Sequence, residues 1–82
     1  MENRIEDRVK NIMSAVFEIP VNDINNNSSI NTIEVWDSLK HMNLIFSLEE
    51  EFDIEFEMDE IALLIDYKSI CNLVDKKLTS LD

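Results

Sequence analysis

The chain has no glycine in 82 residues, and that absence narrows its possible folds more than any motif it contains. Glycine supplies the positive φ of two-residue hairpins and the close backbone approach of phosphate-cradling loops. A sheet of tight hairpins, a P-loop and a dinucleotide fingerprint are therefore disfavoured, and helices remain. At this length there is room for one domain, residues 1–82, near the size where a single core is barely enough. Apolar residues make up 45% of it, which places the chain among those that bury a core rather than stay disordered.

Charge then selects partners. Eighteen acids against seven Lys and Arg leave a net charge of −11, so nucleic acid and anionic membranes repel the chain and basic protein surfaces attract it. It has neither a membrane-spanning apolar run nor the pattern of a signal peptide, and its one cysteine, Cys71, has no internal partner for a disulfide. A cytoplasmic monomer is the expectation, with Cys71 packed on the apolar stripe of a helix.

Hydrophobic periodicity divides the chain. Ile5, Val9, Ile12, Met13, Val16 and Phe17 recur at helical spacing and predict an amphipathic helix over 2–17, closed by Pro20. Residues 21–36 read as a long loop, because Asn22, Asp23, Asn25, Asn26, Asn27, Ser28 and Ser29 favour turns over regular structure. Ile24, Ile30, Ile33, Val35 and Trp36 are its expected anchors on the bundle. A second helix should start at Asp37 or Ser38 and end near Phe52 or Asp53. Leu44, Ile45, Leu48 and Phe52 form one apolar arc of it, while Leu39, Met42 and Phe46 form another, so the helix is either central or meets a partner. A short helix over 58–65 and a last one over 68–78, with Tyr67, Ile70, Cys71, Val74 and Leu78 as its stripe, complete the set. The fold class is all-α: a small four-helix bundle, three longer helices and one short, with a long loop between the first two.

Asp37-Ser38-Leu39 alone is an ordinary helix N-cap. Set after an Asn-rich loop, and opening a helix that closes with Leu48-Glu49-Glu50-Glu51-Phe52-Asp53-Ile54 in a small acidic chain, it resembles the acyl carrier protein family. The stretch WDSLKHMNLIFSLEEEFDIEF carries the likeness most strongly, and length and helix order extend it over nearly the whole chain. The resemblance implies that Ser38 bears a covalent 4′-phosphopantetheine whose thiol carries acyl groups, with no catalysis by the chain itself. It implies that Asp37 and Leu39 are read by the phosphopantetheinyl transferase. Leu39, Met42 and Phe46 match positions that contact enzymes loading or processing acyl or aminoacyl groups through basic docking surfaces, and Glu49 lies beside them on the helix wheel, within reach of a basic partner. A phosphodiester at a helix start meets free N–H groups and the positive end of the dipole, so the placement is physically reasonable.

The chain also departs from the family pattern. Lys40 and Asn43 stand where fatty-acid-synthase carriers have acids, Trp36 where a small residue is common, and Val35 where glycine is usual. The segment Ile61-Ala62-Leu63-Leu64-Ile65 is more apolar than the acidic third helix typical of those carriers. These differences suggest a specialised pathway rather than bulk fatty-acid elongation. Many members of the family enclose an acyl chain in the bundle. Here Ile45, Phe46, Leu48, Ile61, Leu64 and Ile65 are the candidate lining, unless they merely pack on one another, and Phe46 as a plug would suit a short or polar cargo.

Two readings of other classes compete. Asp23, Asn25, Asn27, Ser29, Asn31 and Glu34 fall at the ligand positions of a twelve-residue calcium loop, but Ser28 takes the place of its turn glycine and only two ligands are charged. A hydrolytic reading would pair Ser38 with His41, the only histidine, and lacks an orienting acid and an oxyanion site. His41 is better read as a solvated helix residue or a partner contact.

Overall fold

The computed structural model describes residues 3–79. Four helices follow one another: α1 (Asn3–Phe17), α2 (Ser38–Phe52), α3 (Met58–Leu63) and α4 (Tyr67–Thr79), with one 3₁₀ turn at Val21–Asp23 after α1. Glu2, the sequence-predicted start of the first helix, lies outside the described residues. The all-α class and the three-long, one-short arrangement are as the periodicity predicts.

The stripes find one another in the expected way. Val9, Met13 and Phe17 of α1 meet Leu44, Ile45, Leu48 and Phe52 of α2 and Ile70 and Val74 of α4 in a single core, with α1 packed on both longer neighbours. Cys71 is half-buried against that core, and burial pushes its thiol up to about 11, so it stays protonated near neutrality.

The long loop is packed, though by fewer anchors than expected. Ile24, Ile33 and Trp36 are buried, whereas Ile30 and Val35 are exposed. Ile30 is nonetheless held to the bundle through its backbone. Its N–H donates to the Ile65 carbonyl at 2.9 Å, and the Tyr67 N–H donates to the Ser28 carbonyl at 3.0 Å. These two bonds form an isolated antiparallel bridge, Ser29 to Asp66, that pins the loop to the α3–α4 connection. The same bridge ends α3 at Leu63 instead of Ile65, since residue 65 is drawn into extended pairing. Asp66 then caps α4, accepting from the Ser69 N–H at 2.7 Å.

Basic side chains close the gaps between helices. The Arg8 guanidinium of α1 lies 4.4 Å from the centroid of Phe52. It donates to both the carboxylate and the carbonyl of Glu51 at 2.8 Å. Glu51 reads as a solvated helix end by sequence; in the fold it is tied back across the bundle, and a cation offsets the acid at the negative end of the α2 dipole. No helix among the described residues is long and apolar enough to cross a membrane.

Candidate prosthetic-group site

Asp37 begins the site. Its backbone is extended, and its side chain accepts from the Lys40 N–H at 2.8 Å, a standard N-cap that fixes where α2 starts. Its carbonyl takes the His41 N–H at 2.8 Å, the first full turn of the helix. The N–H groups of Ser38 and Leu39 precede any possible intrahelical acceptor, and neither has one among the described residues. Ser38 therefore presents an exposed hydroxyl on the first helical residue, beside two unpaired donors at the positive end of a fifteen-residue helix. An anionic ester oxygen fits there without desolvating another charge. Asp37 and Leu39 flank it, both exposed, Leu39 at 70%.

Beside Ser38 runs a cleft of about 500 Å³. Ser38, His41 and Met42 of α2 form one wall, Ala62 and Ile65 the other, with Ile30 and Trp36 from the loop. Sequence reads Ile30 as a loop anchor and Ala62 as part of an apolar segment; the loop's bridge to the α3–α4 connection brings Ile30 to the cleft instead.

His41 departs from its expected role. It is half-buried rather than solvated. Nδ1 accepts from the Trp36 indole N–H at 3.0 Å, and Nε2 lies 2.9 Å from the Ile61 carbonyl. With both nitrogens engaged in this way and no hydroxyl bonded to it among the described residues, the ring has no free nitrogen to act as a base for Ser38. The missed signal was Trp36: a buried indole needs an acceptor, and His41 is an aromatic acceptor five residues on. Trp36 is only 4% exposed and packs on Phe17 with ring centroids 4.8 Å apart.

Lys40 is likewise not a free charge on the recognition face. Its ammonium turns back to donate to the Val16 carbonyl at 3.1 Å, serving the C-terminal end of α1. Of the surplus apolar arc, Leu39 and Phe46 are well exposed and Met42 is at the exposed margin, 36%, where it lines the cleft. Glu49 is half-buried and its carboxylate accepts from the Phe56 N–H at 2.9 Å, so it also closes the connection between α2 and α3. Glu49, Glu50, Asp53 and Glu55 surround Phe46 and Ile54 in a shallow acidic depression. Phe46, 60% exposed, and Ile65, 50% exposed, are not enclosed by the bundle, whereas Ile45, Leu48 and Leu64 are packed in its core at 1% or less.

The calcium reading finds no support in the loop. Asn25 Oδ1 accepts from the Asn27 N–H at 2.8 Å and Ser29 Oγ from the Asn31 N–H at 3.1 Å, so these side chains serve their own backbone. No group of three or more His, Cys, Asp or Glu among the described residues could hold a metal ion.

Comparison with known proteins agrees with this geometry. Residues 7–75 match the family described as "Phosphopantetheine attachment site". The acyl carrier protein of Buchnera aphidicola subsp. Schizaphis graminum is 33% identical over 75 residues, 92% of this chain and 95% of that protein. The acyl carrier protein of Buchnera aphidicola subsp. Acyrthosiphon pisum is 34% identical over 73 residues, 89% of this chain and 91% of that one. Among solved structures, the solution NMR structure of the holo acyl carrier protein from Geobacter metallireducens superposes with a TM-score of 0.81 at 39% identity, covering 90% of this chain and 85% of that one. The chain belongs to the acyl carrier protein family, whose members carry a covalent phosphopantetheine and catalyse no reaction themselves.

Proposed function

We propose that this carrier tethers acyl or related carboxylate intermediates as thioesters on a 4′-phosphopantetheine joined to Ser38, and presents them to the enzymes of a specialised, cytoplasmic biosynthetic pathway. The observation that carries the reading is the exposed Ser38 hydroxyl at the first residue of α2, next to the unpaired N–H groups of Ser38 and Leu39. When bound, the arm supplies a terminal thiol that exchanges acyl groups as thioesters. The chain's own residues do the rest. Asp37 fixes the helix start, the helix N-terminus accommodates the phosphodiester charge, and Leu39 offers the transferase an exposed apolar side chain next to the acceptor hydroxyl.

Release of product demands an interface that does not hold on, so docking on Leu39, Met42 and Phe46 with Glu49 at the rim is small and owes its association rate to charge. A tether also raises the effective concentration of cargo at each partner, which lets weak docking suffice.

Incubation with a phosphopantetheinyl transferase and coenzyme A is expected to add one arm to the intact mass. Ser38→Ala abolishes the gain while leaving unfolding within about 0.5 kcal/mol of the parent, as for an exposed side chain with no internal partner. An unmodified parent chain, or an arm found on Ser38→Ala, refutes the assignment.

A further inference from the structure

His41 makes no bond to Ser38, yet both of its ring nitrogens are engaged, and they reach in opposite directions. An indole N–H only donates and a carbonyl only accepts. Between Trp36 Nε1 and the Ile61 carbonyl, the ring must therefore be the neutral tautomer with its proton on Nε2. Two hydrogen bonds in series then run from the loop, through α2, to α3. Trp36 is at once a member of the core and a wall of the cleft beside Ser38. Beyond it Leu44, Ile45, Leu48 and Leu64 are packed with at most 1% exposure.

We infer that His41, its ring set by Trp36, is a specificity-determining position: by tying α2 to α3 it holds that seam shut and keeps the carried acyl group in the outer cleft of Ile30, Met42, Ala62 and Ile65. The inference rests on attachment at Ser38. Its occupant is the apolar tail of the tethered group, because Ser38 itself forms part of the cleft wall and anything carried there meets the cleft at high effective concentration. For a tail to pass inward between α2 and α3, the His41–Ile61 bond, the one of the two that crosses the seam, must break. The His41 Nε2–H and the Ile61 carbonyl would then be left without partners against an apolar chain, which is the costly outcome for buried polar groups. A short acyl group finds its apolar contacts in the outer cleft; a tail that outgrows it, barred from the seam, is left in solvent. The bridge thus selects short cargo.

The test loads the whole chain from acetyl-coenzyme A or octanoyl-coenzyme A with a transferase and compares backbone amide shifts of the two forms. In the parent, differences are expected near Ile30, Met42, Ala62 and Ile65, and none above noise at Leu48, Ile70 and Val74. In His41→Leu, which keeps bulk and loses both bonds, the octanoyl form shifts those interior amides. His41→Gln, which retains a donor for the Ile61 carbonyl, behaves as the parent. If His41→Leu does not fold, His41→Phe replaces it, keeping a ring against Trp36 and losing both bonds. Interior shifts in the octanoylated parent, or their absence in the bridge-less variant, overturn the inference. A chain that takes no arm overturns the attachment reading as well; one that takes the arm and encloses the octanoyl tail overturns this inference alone.

Discussion

Asp53 ends α2 in the left-handed region, with φ 56 and ψ 50, and Glu18 follows α1 with φ 59. Glycine normally takes such positions because a Cβ crowds the following carbonyl at a cost of about 1–2 kcal/mol. A chain with no glycine still has to stop its helices, and it does so with two strained acids. Nothing among the described side chains holds the Asp53 carboxylate, which is exposed at the negative end of the helix dipole. Asp53→Gly is therefore expected to stabilise the fold. Relief of strain outweighs the extra unfolded-state entropy of glycine, about 0.4–1 kcal/mol, for a net gain of about 0.5–1 kcal/mol. Urea unfolding measures it directly, and a loss of stability contradicts the strain. The composition announces that glycine is missing; only backbone geometry reveals where the lack is felt.

At the scale of the element, α3 is the segment that most needs outside support, since six residues are too few to be helical unaided. It has a capping box, with the Glu57 N–H donating to Glu60 at 2.8 Å. Lys77 of α4 pairs with the same carboxylate at 2.8 Å, and His41 holds the Ile61 carbonyl. Lys77, and then the Glu57 N–H, hold the Glu60 carboxyl below its ordinary value of 4.5. The sign follows from proton binding. The unfolded chain takes up this proton near 4.5 and the folded one only at lower pH, so the contribution is complete above that range. It is lost as pH falls through the folded value. Hydrogen exchange at the α3 amides should quicken relative to α4 as pH falls below about 4.5. In Glu60→Gln that acid-dependent step should vanish, and an unchanged step would assign it to another group. Sequence places the start of this helix at Met58, as observed. Its C-terminal boundary depends on the bridge to residue 29, which no local pattern encodes.

Across the whole molecule, the internal use of cations sharpens the surface charge. Arg8 sits on Phe52 and Glu51, Lys40 on Val16, Lys77 on Glu60, and Lys10 and Lys77 lie 5.7 Å from the ring centroids of Tyr67 and Phe56. Much of the basic complement is thus spent on the fold, and the outer face is left more uniformly acidic than a net of −11 conveys. Around Ser38 the pattern differs: Lys40 and Asn43 stand where fatty-acid-synthase carriers have acids, so acidity is concentrated about Phe46, at the far end of α2, instead. A partner built for acids next to the motif should dock poorly. In a reconstituted fatty-acid elongation assay the holo chain is expected to replace a housekeeping carrier at least tenfold less efficiently, a loss of about 1.4 kcal/mol in partner recognition. Equal rates would argue against a specialised pathway.

The order of the helices, the start of α2 at Asp37 or Ser38 and the stripes of α1, α2 and α4 were determined by sequence alone. Each depends on neighbours three or four residues away, or on the intrinsic preference of one side chain for a helix end. The direction of residues outside those stripes was not. Whether Ile30 and Val35 face solvent while Ile33 and Trp36 face the core, whether His41 is free or bridged, and where Lys40 and Arg8 discharge their charge were all decided by the tertiary structure. Periodicity fixes the face of its own helix that a residue occupies, but not which distant backbone or ring meets that face when the chain closes on itself.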